Sequence, residues 1–343
     1  MNFPFRTVAA IMIFCPALYT SAHAQSAAQF YKGKSLALIV GFDAGGGYDV
    51  YARLLARYLP HHLAGITGVV TQNMPGAGGL SATNYLYKVA PKDGSVLAAT
   101  HSNVALAQLL GGRNVEYDAR QFNWVGRMTS AIDVHYSWHT STIKNFSDIK
   151  IHEAIAAGTG PTSNSVIFPR LLNELLGTRF KLITGYKGTS EGNLALERRE
   201  VDLVLKPWEG VKSGNADWLA DRKINLIVQY SVNRHPDLLE LPTVVDVMET
   251  EEQRRLIRIF ASTSDIGRSL AMPPGVPAER VDEVRKAFVA TMKDSRFLVE
   301  AESMKVEIDP MDGVRLHDLI ASTFDISSEM KINATRIYEQ IGK

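Results

Sequence analysis

Several short segments carry residue types whose spacing could do chemistry. Gly188-Thr189-Ser190-Glu191-Gly192 matches G-x-S-x-G between a strand-like and a helix-like run, the setting in which a serine nucleophile sits on a sharp turn. His235 and His317 follow and could complete a triad, which would make the chain an exported serine esterase acting through Ser190. No oxyanion segment of the H-G-G-G type precedes the pentapeptide. Gly33-Lys34-Ser35 imitates the end of a phosphate loop, but Ala28 stands where its first glycine belongs and a strand follows instead of a helix. Gly158-x-Gly160-x-x-Ser163 approaches a dinucleotide fingerprint and lacks its third glycine. His61-His62 and His135-x3-His139 lack the supporting ligands of a zinc site. We therefore expect no cofactor and no metal.

The pattern with more weight is a set of glycine-rich turns, each joining the end of a strand to the start of a helix. Leu36 to Phe42 reads as a buried strand before Gly45-Gly46-Gly47 and a helix from Asp49 to Leu59. Gly68 to Gln72 runs into Pro75-Gly76-Ala77-Gly78-Gly79 and a helix from Ser81 to Val89. Ser95 to Thr100 ends at His101-Ser102-Asn103. The grammar recurs: Glu153 to Ala157 leads into Gly158 to Asn164, Phe180 to Thr184 into Gly185-Tyr186-Lys187-Gly188, and Val201 to Leu205 into Lys206-Pro207-Trp208-Glu209. Ile224 to Tyr230 is a further strand, and Pro277 opens a C-terminal helix. Alternating strands and helices predict an α/β architecture with largely parallel sheets. In such sheets ligands bind off the carboxyl ends of the strands. The first N–H groups of each following helix have no partner in the helix and carry partial positive charge, so the turns attract anions without a basic protein.

The whole chain sets the compartment. Arg6, the apolar run Val8 to Leu18 and Ala22-His23-Ala24 form a basic start, a short apolar stretch and an A-x-A cleavage site, so residues 1–24 are expected to be a signal peptide. Cleavage would remove the one cysteine, Cys15, and with it any thiol chemistry or disulfide. It would also remove one of 37 basic residues, balancing the 36 acidic ones, which argues against a nucleic-acid partner. No later segment reads as membrane-spanning.

The turns and their flanks resemble a known family. Tyr31-Lys32-Gly33-Lys34 through Phe42, with Gly45-Gly46-Gly47-Tyr48-Asp49, is similar to the opening of the Bug-type extracytoplasmic solute receptors of tripartite tricarboxylate transporters. Asn73-Met74-Pro75-Gly76-Ala77-Gly78-Gly79 resembles the family's N-R-P-G-A-G-G, Gly185-Tyr186-Lys187-Gly188 its P-Y-K-G, and Glu200-Val201-Asp202 its G-x-V-D. Ala90 to Gly94, Leu241-Pro242-Thr243-Val244 and Pro273 to Pro277 keep the family order. The resemblance implies a periplasmic-binding-protein fold, type II-like: two α/β lobes on a two-segment hinge, lobe 1 at 25–128 plus 261–343 and lobe 2 at 129–260. It implies a monomer that captures a small carboxylate in the cleft and docks on membrane permease subunits, with no catalysis.

Carried onto this chain, the expected ligand-binding residues of lobe 1 are Phe42, Asp43, Ala44, Gly45 and Tyr48, with His101, Ser102 and Asn103. Those of lobe 2 are Thr159, Gly160, Thr162, Ser163 and Asn164, with Tyr186, Lys206 and Trp208. Asp43 departs from the family's usual neutral residue and would repel a carboxylate unless it points away or meets a positive group, so an aromatic or amphoteric acid is a candidate. Plainer roles stand beside these: Asp49 as a helix cap, His101 satisfying a loop carbonyl, Lys206 paired with Glu209, Trp208 as packing.

Overall fold

The computed structural model describes residues 26–161 and 163–341; the signal-peptide segment and Thr162 lie outside the described residues. Strands β1 (Ser35–Val40), β2 (Gly68–Asn73), β3 (Val96–Ala99) and β4 (Asn123–Arg127) belong to a first sheet. The chain then crosses to a second sheet, built from β5 (Asp133–Trp138), β6 (Ala154–Gly158), β7 (Phe180–Thr184), β8 (Leu203–Pro207) and β9 (Ile224–Tyr230). It returns to the first sheet for β10 (Ser269–Met272) and the short β11 (Met311–Asp312). The spatial orders are β11-β4-β10-β3-β1-β2 and β7-β6-β8-β5-β9.

Both faces of each sheet are covered, which explains why most strands are near-continuous apolar runs. In the first sheet Leu38, Val40, Leu97 and Ala99 face one core, and Ile39, Val96 and Ala98 the other. In the second, Leu203 and Leu205 face one core and Val204 the opposite one. These are the two-residue alternations that a pleated strand imposes. The final helix, Ser328–Ile341, packs on the helix Asn164–Leu176, and Ala334 is buried in the second sheet's core.

The sheets are mixed, where the sequence had predicted largely parallel ones. β1, β2 and β3 are parallel, as are β6, β7 and β8, but β10 is antiparallel to β3 and β4, and β5 is antiparallel to β8 and β9. The reversed strands β5 and β10 are the first ones after each crossover. Parallel strands end at the cleft, so a strand entering from the other lobe begins there and must run outward.

The crossovers, residues 128–132 and 262–268, run side by side. Met128 N–H donates to the Arg268 carbonyl (3.0 Å), Arg268 N–H to that of Thr129 (2.9 Å), and Ala131 N–H to that of Ser264 (2.9 Å). At Gly267 the backbone has φ +52° and a Cβ would lie 2.1 Å from the Thr129 oxygen, so no side chain fits between the segments. Arg127 anchors the hinge: it is buried, donates to the Asp265 carbonyl (2.7 Å) and pairs with Asp309 (2.6 Å).

Candidate functional site

The strands of both sheets end at one cavity of about 80 Å³ between the lobes. The turn after β1 brings Phe42, Asp43, Gly46, Gly47 and Tyr48, and the end of β3 brings His101, Ser102 and Asn103. From the second lobe come Thr159, Ser163, Asn164, Ser165 and Thr189. Ala131, Asp133 and Arg268 rise from the hinge, and Leu205 and Pro207 close the wall at the end of β8.

Helices that start at this cavity include Gly47–Tyr58, Asn164–Leu176 and Thr189–Glu197. None has a side-chain cap on its first N–H groups; the preceding residues are Gly46, Ser163 and Gly188. Several helices that start away from the cavity are capped, although Ala278–Thr291, which follows Pro277, is not. Thr250 and Gln253 form a reciprocal capping box, and Asp294 and Asp312 cap the helices that follow them. A cap is worth about 1 kcal/mol, so leaving first-turn donors open where both lobes meet has a thermodynamic cost, and it exposes a positive pole to whatever enters.

The first turn is held from behind. The buried Asp49 carboxylate accepts from Gly45 N–H (2.9 Å), Arg53 Nε (2.7 Å) and Asn73 Nδ2 (2.9 Å), and Asn73 Nδ2 also donates to the Phe42 carbonyl (3.0 Å). Asp49 thus ties the glycine turn to β2. Tyr48 stacks on Phe42 with ring centroids 4.4 Å apart, and its hydroxyl accepts the Ser102 N–H at 2.9 Å. Opposite, the Ser163, Ser165 and Thr159 hydroxyls form one hydrogen-bonded group: Ser163 Oγ lies 2.8 Å from Ser165 Oγ, which lies 3.3 Å from Thr159 Oγ1.

Charge at the site is buried and mostly balanced internally. Arg268 donates from Nε (2.9 Å) and Nη2 (2.6 Å) to Glu209, and its guanidinium lies 4.1 Å from the Tyr48 ring centroid. Asp133 is buried and accepts from Asn164 Nδ2; burial pushes its carboxyl up to about 7, against the opposing Asn164 hydrogen bond. Burial also raises Asp43, whose Oδ1 has no partner. His101 is pushed down to about 4 by burial; its Nε2 lies 3.3 Å from the Tyr117 hydroxyl and its Nδ1 has no partner. Among the described residues no group of three or more His, Cys, Asp or Glu side chains is disposed to hold a metal.

The lobes touch at two glycines of the second lobe. A Cβ at Gly160 would lie 2.4 Å from the Ala77 carbonyl carbon and from Gly78 N, and a Cβ at Gly188 would lie 1.6 Å from Asp43 Oδ1. Both glycines serve close approach between lobes. The φ of −178° at Gly188 suits any residue.

Of the expected ligand contacts, Phe42, Asp43, Tyr48, His101, Ser102, Asn103, Thr159, Ser163 and Asn164 line the cavity. The structure does not bring Ala44, Gly45, Gly160, Tyr186, Lys206 or Trp208 to its wall. Ala44 and Gly45 are exposed, and Tyr186 packs against the core around Val204. Lys206 is buried, donates to Asn215 Oδ1 at 2.7 Å and is pushed down to about 8 by burial; Glu209 pairs with Arg268 instead. Trp208 packs beside Val211 and Leu238, with its indole N–H on Asp237 (3.0 Å). Sequence reasoning missed Asp133 and Arg268. The available signal was a charged residue at the head of a short β-forming run, Val134-His135-Tyr136 after Asp133 and Ser269-Leu270-Ala271 after Arg268.

The G-x-S-x-G segment is no strained elbow. Ser190 lies in the first turn of the helix Thr189–Glu197, with its hydroxyl beside Asp43. His235 sits in a groove on the other side of the hinge strands, near Asp237 and Glu307, and His317 is on the helix Gly313–Ser322, packed on β4. The structure does not assemble them into a triad.

No family model matches the chain. A UPF0065 protein of Bordetella bronchiseptica is 22% identical over 283 residues, 80% of this chain and 78% of its own length. The solved structure of the periplasmic binding protein BugD superposes with a TM-score of 0.71 at 22% identity, covering 91% of this chain and 99% of that one. MatC of Rhodopseudomonas palustris, solved with bound malate, gives 0.68 at 19% identity over 89% and 99%. In sequence the chain is similar to a UPF0065 protein, and in fold to the solved structure of the periplasmic binding protein BugD.

Proposed function

We propose that this chain is a periplasmic solute receptor that captures a small organic carboxylate between its lobes and hands it to the permease of a tripartite tricarboxylate-type transporter, without chemistry on the ligand. The observation that carries this reading is the convergence of uncapped helix starts from both lobes on one cavity between them. Malate in the related MatC structure and the periplasmic assignment of BugD agree with it. Ligand contacts would come from Phe42, Asp43, Tyr48, His101, Ser102, Asn103, Thr159, Ser163 and Asn164. The working lobes would be 25–128 with 261–343, and 129–260. The chain would be exported by residues 1–24 and act as a monomer.

In this mechanism each lobe offers part of the donors and the ligand bridges them. Closure removes the carboxylate from water, where its charge-assisted hydrogen bonds to backbone N–H groups strengthen in the lower dielectric. Binding stabilises the fold by mass action: ligand at a hundred times Kd adds about 2.7 kcal/mol to unfolding. The test is a thermal-shift screen of residues 25–343 against aliphatic and aromatic carboxylates, run beside an assay for ester turnover. A selective rise in Tm without turnover is expected. Ester hydrolysis abolished by Ser190→Ala would overturn the receptor.

A further inference from the structure

The floor of the cavity is built to accept hydrogen bonds and positive charge. Asp133 is 5% exposed and Asn164 9%, and both line the cavity. The Asn164 amide spends its nitrogen on Asp133, which fixes its orientation and leaves its Oδ1 buried without a partner. The adjacent cation, Arg268, directs Nε and Nη2 to Glu209, itself 3% exposed. That pair is neutral as a unit, so the Asp133 carboxyl is not offset by it. Asp43, another carboxyl on the wall, is covered at Oδ1 by Gly188 and does not share this floor. A buried acceptor left unmade costs about 1–3 kcal/mol, and these acceptors share one cavity. Its roughly 80 Å³ is only several water-sized volumes, so one small ligand must serve both the acceptors and the open helix starts.

We infer that the ligand is amphoteric: a small amino acid-like carboxylate whose protonated nitrogen seats on Asp133 and Asn164 Oδ1 while its carboxylate takes the helix-start N–H groups. The inference rests on the receptor reading and narrows it from carboxylates at large to those that carry a cationic N–H donor. Burial favours the neutral form of Asp133 in the absence of such a partner, and a bound ammonium would hold it ionised. Asp133 is then a specificity-determining residue placed on the hinge itself, where ligand charge and closure meet.

The experiment compares matched pairs by titration calorimetry on residues 25–343: alanine against propionate, aspartate against succinate, and 4-aminobutanoate against butanoate. In at least one pair the amino member is expected to bind ten-fold or more tighter than its counterpart. Asp133→Asn, which keeps the shape and a hydrogen-bond partner for Asn164, should shrink that gap to under three-fold, with the unliganded melting curve as the check that it folds. Should the counterparts without nitrogen bind as well or better, the amphoteric reading falls and the carboxylate receptor stands. Should neither series bind, the amphoteric reading falls, and the receptor reading is decided by the wider carboxylate screen. A gap that survives Asp133→Asn would remove the role from this residue.

Discussion

At the scale of single residues, contact between the lobes depends on missing side chains. The Gly188 Cα faces the Asp43 carboxylate so closely that one methyl group would overlap it. Gly188→Ala should therefore leave the unfolding midpoint nearly unchanged, because its extended backbone suits alanine. Ligand affinity should fall at least ten-fold, since overpacking costs about 1–3 kcal/mol and here it would fall on the closed arrangement. Combined with Asp43→Gly the losses should be less than additive; a strictly additive double variant, measured by calorimetry, would show that the two residues do not meet. Glycine at position 188 was visible in the sequence, but its partner was not. Asp43 and Gly188 are 145 positions apart, and only the folding of one lobe over the other brings them together.

At the scale of elements, helices that start at the cavity lack side-chain caps, while several remote ones carry them. Thr250→Ala removes a capping box remote from the cleft and should cost about 1 kcal/mol in urea unfolding with ligand affinity unchanged. Asp49→Ala should do both kinds of damage. It frees Gly45 N–H, Arg53 and Asn73 at once, at a cost of about 1–3 kcal/mol, and it loosens the turn that aims the helix Gly47–Tyr58 at the ligand. Unaltered affinity in Asp49→Ala would detach that turn from binding. The glycine turns and their flanking strands were legible because apolar runs bounded by glycine and proline leave few other foldings. β5 and β10 were not read: each contains polar residues and enters its sheet in the reverse direction, so neither fits the strand-turn-helix pattern of its neighbours.

At the scale of the whole molecule, pH acts through groups buried within each lobe and at the hinge. His135 is buried at the hinge side of the second sheet with Nδ1 2.6 Å from the Tyr230 hydroxyl, and burial pushes it down to about 3; His101 falls to about 4 for the same reason. A histidine held neutral in the fold but free to charge when unfolded contributes stability above pH 6.5, lost as pH falls toward the folded value. Each can contribute up to about 1.4 kcal/mol per pH unit. Asp133 works in the opposite sense. Raised to about 7 in the fold, it binds a proton that the unfolded chain has released, so its contribution diminishes as pH rises from about 4 to 7. Urea midpoints between pH 4 and 6.5 should accordingly fall more steeply with acid in Asp133→Asn and less steeply in His135→Phe than in the unaltered chain. Equal slopes in all three would mean that these groups titrate alike folded and unfolded.

The sequence by itself determined the local grammar: where several strands end, and that glycine turns recur in both halves of the chain. Those properties follow from residue type over a few neighbouring positions, through backbone sterics and hydrophobic periodicity. Only the tertiary structure decided which polar groups share the cavity. It set Lys206 and Trp208 into the second lobe's own packing, and brought Asp133 and Arg268, 135 positions apart, to the floor by laying the two crossover segments side by side. The physical reason is that the electrostatics of a buried site depend on distance and desolvation across the hinge, and neither quantity is encoded in the spacing of residues along the chain.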